Sequence, residues 1–407
     1  TNITAQGENW VMFVMPAATT NGVKTVVIQS DSIGNTTFAD AYTYNPAGAI
    51  VTGTGEGGQW RSLGSKNVPG QINAVGMQNT VYGLSMGHDG YLYAAGAFTN
   101  AGGSNCSRVA RFNGTNWLEM AGGIRQFANA NIMCASTNGP VYAGGYFTNI
   151  GSANSKAVAR WTGTNWTAMQ MGLYFSQYVN GYVNALVEDR NGDIIAGGYF
   201  TNGSPTIPST IPGVHFVAKW RTQAGVWTNI SQGFNNVVNQ LAAGPDGSVY
   251  AGGSFTSCYP SGSSRDINYI ARWTGAGWTN MAHGFGNRVT CLAVSTNNEL
   301  YVGGWFTNAI NTAGQNVGIR FVARWDGNNW TNVGGGFNNW VYALACGEDG
   351  AVYAGGAFTN ANAYGATPAL GTMRIAKWDG SNWSQMGSGF NDSVLSSAWD
   401  MNTHSLI

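Results

Sequence analysis

The sequence predicts an all-β protein, a β-propeller of four-stranded antiparallel blades. Three observations predict it: a unit of about fifty residues recurs six times, Asx-Gly turns punctuate short β-branched and aromatic runs, and helical periodicity is absent. The copies begin near Val81, Ala130, Val183, Val238, Val289 and Val341 and cover 81–129, 130–182, 183–237, 238–288, 289–340 and 341–393. A Phe-Thr pair marks the same place in each, at Phe98, Phe147, Phe200, Phe255, Phe306 and Phe358.

Residues 341–393 show the unit plainly: VYALACGEDGAVYAGGAFTN, a variable stretch, then RIAKWDGSNWSQMGSGFNDS. The first strand is VYALA-like and ends in a two-residue turn such as Asp349-Gly350, Asp246-Gly247, Asp89-Gly90, Asn191-Gly192 or Asn138-Gly139. Asx-Gly accepts positive φ, so the first two strands are antiparallel neighbours. The second strand is VYAGG, whose paired glycines let a neighbouring backbone or ring come close. A loop of variable length follows. The third strand is [VI]-A-[RK]-W; a second glycine turn leads to the fourth, which holds Trp117, Trp166, Trp227, Trp278, Trp330 or Trp383. Units of this kind hide both sheet faces by stacking radially.

The double glycine followed by two tryptophans, Gly144-Gly145 with Trp161 and Trp166 or Gly355-Gly356 with Trp378 and Trp383, resembles the kelch repeat family of β-propellers. It is also similar to the AGG-FTNAGG and ARW-GTNW repeats of large secreted bacterial proteins and some viral structural proteins. The resemblance covers roughly residues 50–407.

Beyond the sixth copy, Val394–Trp399 matches a first strand and Ser405–Ile407 starts a second, while Gly58–Gly64 matches an orphan fourth strand with Trp60 in the tryptophan position. Joining 394–407 to these N-terminal strands would leave no open sheet edge. That predicts seven blades with a composite closing blade; counting residues 10–64 as a full degenerate blade gives the alternative of eight. Residues 1–45 read as an N-terminal β segment, a linker or a degenerate blade, and 46–407 as the propeller.

Composition narrows the function. Charged residues are only 9% of the chain, so Asn, Thr, Ser and Gln must carry solubility, a profile that points to an extracellular, cell-surface or virion-surface setting. Lys plus Arg equals Asp plus Glu at 18 each, which leaves no basic field for phosphates and predicts no nucleic-acid partner. No apolar run is long enough to span a bilayer. The five cysteines show neither CxxC spacing nor an even count. Cys134, Cys291 and Cys346 fall in first strands as small buried thiols, while Cys106 and Cys258 lie in loops.

The connections between the second and third strands share a rim with the links from one blade to the next, and the tight turns lie on the other. The turns barely change, whereas residues 203–213, 257–268, 309–319 and 361–372 vary widely, which makes the variable rim the candidate binding face. A residue present in every blade is explained by packing that every blade shares. The series Phe234, Phe285, Phe337 and Phe390 reads as structural plugging, and the stems of Arg111, Arg160, Lys219, Arg272, Arg324 and Lys377 as cover for aromatic faces. What breaks the period is Phe127, Tyr174, Tyr178, Tyr182, His215, Tyr259, Trp340 and Tyr364, the candidate ligand-binding residues, since exposed aromatics offer stacking surfaces for sugars or anchors for proteins.

Catalytic signatures are missing. The four histidines are scattered, no G-x-S-x-G meets a helix, and no glycine-rich loop opens one. Asp189, Asn191 and Asp193 place oxygens at alternate positions and form a weak calcium candidate, though the same residues fit an ordinary hairpin turn. Glu119, Glu188, Glu299 and Glu348 are the carboxylates from which an acid and base pair would be drawn. The sequence thus predicts a non-enzymatic binding or structural module without cofactor, presenting variable loops to a glycan or protein partner or to other subunits of a surface assembly. The alternatives are a polysaccharide-active enzyme and a passive spacer.

Overall fold

The computed structural model describes residues 77–406 apart from 78, 114–115, 125–127, 138, 171, 175–180, 202–213, 232, 259–264, 349, 364–369, 388, 398 and 401–404. The N-terminal readings, residues 1–45 and the strand around Trp60, lie outside the described residues.

Six four-stranded antiparallel sheets follow one another along the chain, each ordered first to fourth strand. Blade 1 consists of Val81–Met86, Leu92–Gly96, Val109–Phe112 and Trp117–Glu119; blade 2 of Asn129–Ala135, Val141–Tyr146, Val158–Trp161 and Trp166–Ala168. Blade 3 is Tyr182–Glu188, Ile194–Tyr199, Val217–Arg221 and Val226–Asn229; blade 4 is Val238–Ala243, Val249–Gly253, Ile270–Trp273 and Trp278–Thr279. Blade 5 is Val289–Val294, Leu300–Gly304, Val322–Trp325 and Trp330–Asn332; blade 6 is Val341–Cys346, Val352–Gly356, Ile375–Trp378 and Trp383–Gln385. None of the described residues forms a helix long and apolar enough to cross a membrane.

The blade number corrects the expectation of seven, and equally the alternative of eight: the described residues form six blades. After the sixth sheet the described chain makes only a two-stranded ribbon, Trp399–Asp400 with Ser405–Leu406. The sequence match at that end reflects packing rather than a blade. Val394 presses on Gly355 as Val341 presses on Gly303, but no four-strand ladder follows it among the described residues.

The two glycines of each second strand have different neighbours. A Cβ on the first, Gly144, Gly197, Gly252, Gly303 or Gly355, would fall within 3.0 Å of Val183, Val238, Val289, Val341 or Val394 respectively, the valine that follows in the next copy. A Cβ on the second, Gly145, Gly198, Gly253, Gly304 or Gly356, would strike the carbonyl of the residue just before Ala130, Val183, Val238, Val289 or Val341 of its own blade. No ring lies against the first glycine, as the pattern allowed; a valine does. Second strands such as Val249–Gly253 are consequently buried along their whole length.

Tryptophan ties the blades together. The indole Nε1 of Trp166, Trp227, Trp278, Trp330 and Trp383 donates to the carbonyl of Met120, Met169, Ile230, Met281 and Val333, in each case just beyond the fourth strand of the preceding blade, at 2.8–3.3 Å. The phenylalanine that follows the fourth strand stacks on the Phe-Thr phenylalanine of the next blade: Phe234 on Phe255, Phe285 on Phe306 and Phe337 on Phe358, with centroids 4.0–4.1 Å apart. Along the first strands, Asn131, Asn184 and Asn239 each donate to the carbonyl of the next blade's leading valine. Within the basic series the charged heads of Arg111, Arg272 and Lys377 lie over rings, Arg111 over Tyr91 and over Trp161 of the next blade, Arg272 over Tyr250 and Lys377 over Tyr353, whereas Lys219 and Arg324 reach carboxylates.

Two connections differ from the sequence reading. The first hairpin is closed by Gly87 N donating to Tyr91 O and Gly90 N to Gly87 O, with Gly90 at φ 78°, so its loop has three residues and not two. That is a type I turn followed by a left-handed glycine, and blade 4 repeats it at Gly244–Ser248. The variable loops also contain structure of their own, short ribbons such as Asn100–Ala101 with Ser104–Asn105 and Ala309–Ile310 with Asn316–Val317.

All five cysteines are free thiols. Burial pushes the Cys106 thiol up to about 11 and those of Cys134 and Cys346 up to about 12. The unfolded chain therefore loses these protons at lower pH than the folded one. The sign follows: their contribution to stability is full below the ordinary thiol value near 9 and falls as pH rises from there toward 12. Equilibrium denaturation should show stability flat through neutral pH and declining above pH 9, with Cys134 resisting a thiol reagent at pH 8 until the protein unfolds.

Candidate functional site

The variable rim carries a cluster of aromatic side chains at the ends of the inner two strands. Its positions are set by register. The residue after the paired glycines leaves the second strand just as the residue before the leading valine enters the first, so the two face each other across the ladder; Tyr182 pairs with Tyr199, and Asn129 with Tyr146. In blade 5 the same two places hold Arg288 and Trp305, joined by a hydrogen bond from Trp305 N to Arg288 O at 3.0 Å.

Trp305 is the centre of the cluster. The Arg288 guanidinium sits 3.3 Å from its ring centroid, and Trp340, entering blade 6, stacks on it at 3.8 Å with planes 2° apart. A guanidinium and a parallel indole cannot share one face at those distances, so Trp305 is sandwiched between them. Tyr342 continues the row at 6.3 Å from Trp340, and burial pushes its phenol up. The backbone around Trp340 is pinned: its N–H donates to Asn339 Oδ1, its carbonyl accepts from Ala357 N, and Asn338 Oδ1 accepts from Thr359 N and Asn360 N. Trp340 nevertheless remains 36% exposed. Its arrangement is that of a rigid apolar platform with a cation behind it, suited to stacking against the face of a planar or pyranose ring.

Exposure singles out the same rim. The exposed large aromatics among the described residues are Tyr82, Tyr146 and Trp340. Tyr82 is the second residue of the first strand in blade 1, and Tyr146 the last of the second strand in blade 2, so all three stand at the same end of their blades.

The structure treats the sequence candidates unequally. Trp340 belongs to the cluster. Tyr182 stacks on Tyr199 at 5.3 Å and 20°, and Tyr199 meets Phe216 at 5.9 Å, which makes a second, half-buried aromatic group on the rim at blade 3. Tyr174 is buried, with the Lys156 ammonium 5.4 Å from its ring, and packs the rim between blades 2 and 3. His215 is half-buried, its carbonyl accepts from Phe234 N, and desolvation lowers its pKa, favouring neutral imidazole. Phe127, Tyr178, Tyr259 and Tyr364 lie outside the described residues. The sequence reading missed Trp305, Arg288, Tyr342, Tyr199, Tyr146 and Tyr82. The signal for Trp305 was present: the place after the paired glycines holds Ala97, Tyr146, Tyr199, Ser254, Trp305 and Ala357 in turn, and so breaks the period as openly as Trp340 does.

On the opposite rim, the oxygens of the weak calcium candidate are already engaged. Asp189 accepts from Asn191 N and Asp193 N and pairs with Lys219 at 2.5 Å; Asp193 pairs with Lys219 at 3.2 Å and Arg221 at 3.3 Å. Among the described residues no group of three or more His, Cys, Asp or Glu side chains is placed to hold a metal ion. The carboxylates are likewise spread over different blades: Glu188 accepts from Ser136 and Thr137, and Glu299 from Arg324 and Tyr301.

Fold and repeat define a β-propeller. Residues 88–116, within blade 1, match the family described as a domain of unknown function (DUF5122) beta-propeller. No curated protein matches the chain. Similar solved structures include the extracellular domain of a putative one-component system from B. thetaiotaomicron, at 12% identity and a TM-score of 0.47, covering 80% of this chain and 38% of that one. The extracellular domain of a putative hybrid two-component system from the same organism gives 10% and 0.47, covering 79% and 37%. The WD40 β-propeller domain of Doa1 gives 12% and 0.48, covering 82% and 90%. The chain thus spans less than two fifths of the length of the two bacterial domains.

Proposed function

We propose that this protein is a non-enzymatic binding module, a kelch-like propeller whose variable rim captures a glycan outside the cell or on a particle surface. The observation that carries this reading is the pinned and exposed stack of Trp340 on Trp305 backed by Arg288. A sugar presents an apolar ring face edged by hydroxyls, and an indole offers a large, rigid contact at low entropy cost. The low charge of the chain, 9%, and its Asn- and Thr-rich composition support an extracellular or surface setting. With net charge zero, long-range steering of charged partners has little to act on.

The test is a glycan array followed by titration of the best hit, read by tryptophan fluorescence. Trp340→Ala should weaken binding by tenfold or more with the fold intact, because a stacked indole at the centre of a site is worth about 1.5–2 kcal/mol or more. Full retention of affinity in Trp340→Ala, or turnover of the glycan by the wild-type protein, would remove this reading.

A further inference from the structure

A second surface, on the opposite rim, has a different chemistry. Between blades 3 and 4 a groove of about 630 Å³ opens beside the hairpin turns, within the ~300–1,000 Å³ range of small-ligand sites. Four of the chain's 18 basic residues line it: Arg190, Lys219, Arg221 and Arg272. Lys219 bridges Asp189 and Asp193, Arg221 reaches Asp193, and Arg272 pairs with Asp246 at 2.8 Å. Arg190 takes part in none of the ion pairs found among the described residues. These four cations meet three carboxylates, Asp189 and Asp246 in the lining and Asp193 behind it, which leaves one positive charge in excess, and each carboxylate is already engaged. The groove therefore offers guanidinium to an anion and no free carboxylate to a cation.

The two exposed arginines are departures from the repeat. At the place of Arg190 the other blades have His88, Thr137, Pro245, Thr296 and Glu348, and at that of Arg221 they have Asn113, Thr162, Thr274, Asp326 and Asp379. Packing common to all blades explains neither. Arg190 crosses from the blade 3 hairpin to blade 4, its Cδ and the near edge of its guanidinium lying where a Cβ on Gly247 would be, and the residue is exposed. The Arg221 side chain is 52% exposed. Trp273 supplies a half-buried aromatic wall; Thr228 and Thr274 donate to backbone carbonyls and keep hydroxyl oxygens that can accept, while Ser248 is buried between Asp246 and Arg272.

We propose that this groove binds a carboxylate-bearing sugar, a uronic acid unit of an acidic polysaccharide. The planar forks of Arg190 and Arg221 take the carboxylate, and Trp273 takes a ring face. An acidic peptide would satisfy the arginines, but a hydroxyl-lined wall with a single indole matches a sugar better. The site is separate from the aromatic rim and does not depend on it.

Calorimetric titration with digalacturonate and with a glucuronate-containing disaccharide tests this, using as control each disaccharide with its carboxylates reduced to alcohols. At least one acidic disaccharide should bind, its reduced form should bind at least tenfold more weakly, and affinity should fall as salt rises. Arg190→Gln and Arg221→Gln, both at exposed positions, should each weaken it tenfold or more with unchanged circular dichroism, while Trp340→Ala leaves it unaltered. The proposal is overturned if neither acidic disaccharide binds at millimolar concentration or if the reduced forms bind equally. It is overturned equally if the arginine variants bind as the wild type does, or if a short polyglutamate peptide displaces the sugar at lower concentration.

Discussion

Replacing Trp330 by alanine is expected to destabilise the protein by about 3–5 kcal/mol, the usual cost of emptying a buried tryptophan site. Trp330 is 3% exposed and lies at the junction of blades 4 and 5. It meets Trp325 at 4.8 Å and Phe285 at 4.6 Å, and Phe285 in turn stacks on Phe306. Its indole N–H also satisfies the Met281 carbonyl at 3.0 Å. Truncation therefore removes packing on both sides of the blade junction and one of the two hydrogen bonds to the Met281 carbonyl, which keeps the one from Gly284 N. Trp330→Phe separates the two losses: it keeps most of the ring contact and should cost about 0.5–1.5 kcal/mol for the hydrogen bond lost. Chemical denaturation of the three proteins would measure this, with Trp340→Ala as the surface comparison. A cost for Trp330→Ala below about 1 kcal/mol would contradict the tie between blades, since even an ordinary substitution averages that much.

The contrast between Trp330 and Trp340 shows what a repeated sequence reveals and what it conceals. Trp330 was legible because its equivalents recur in all six copies, and recurrence marks shared packing. Trp340 was legible for the opposite reason. Trp305, its stacking partner, was hidden inside the most regular motif of the chain, at the one variable place between Gly-Gly and Phe-Thr. Recognising it required the strand register that sets the residue after the glycines opposite the residue before the leading valine. The strand order within each blade followed from turns and alternation, which are local. The blade number depended on whether short matches at the chain ends acquire ladder partners, which is not local, and there the sequence misled: Val394 reproduces the packing of a leading valine, but among the described residues no four-stranded sheet begins with it. The groove between blades 3 and 4 was invisible for the same reason. Arg190, Arg221 and Trp273 are distant in sequence and become neighbours only when two blades stack.

Gly252→Ala is expected to destabilise by about 1–3 kcal/mol through overpacking, although it adds a single methyl group. Gly252 has no positive φ, so the penalty comes from space alone. Its new Cβ would run into Val289 Cγ1, lie 3.1 Å from Val289 Cβ and lie 3.4 Å from Leu292 Cδ2, and Val289 is fully buried with nowhere to turn. Val289→Ala alone should cost about 2 kcal/mol by leaving a small void. Together the two changes should cost less than their sum by about 1–2 kcal/mol, because the alanine methyl occupies the space the valine gives up. The protein already contains this exchange. At the junction of blades 1 and 2 the glycine position is Ala95 and the facing valine position is Ala130, and both are fully buried in one cluster. Equilibrium denaturation of the two single variants and the double variant gives the coupling directly. Strict additivity would mean that the methyl at 252 is accommodated elsewhere, and that the first glycine of the pair is set by something other than the valine of the next blade.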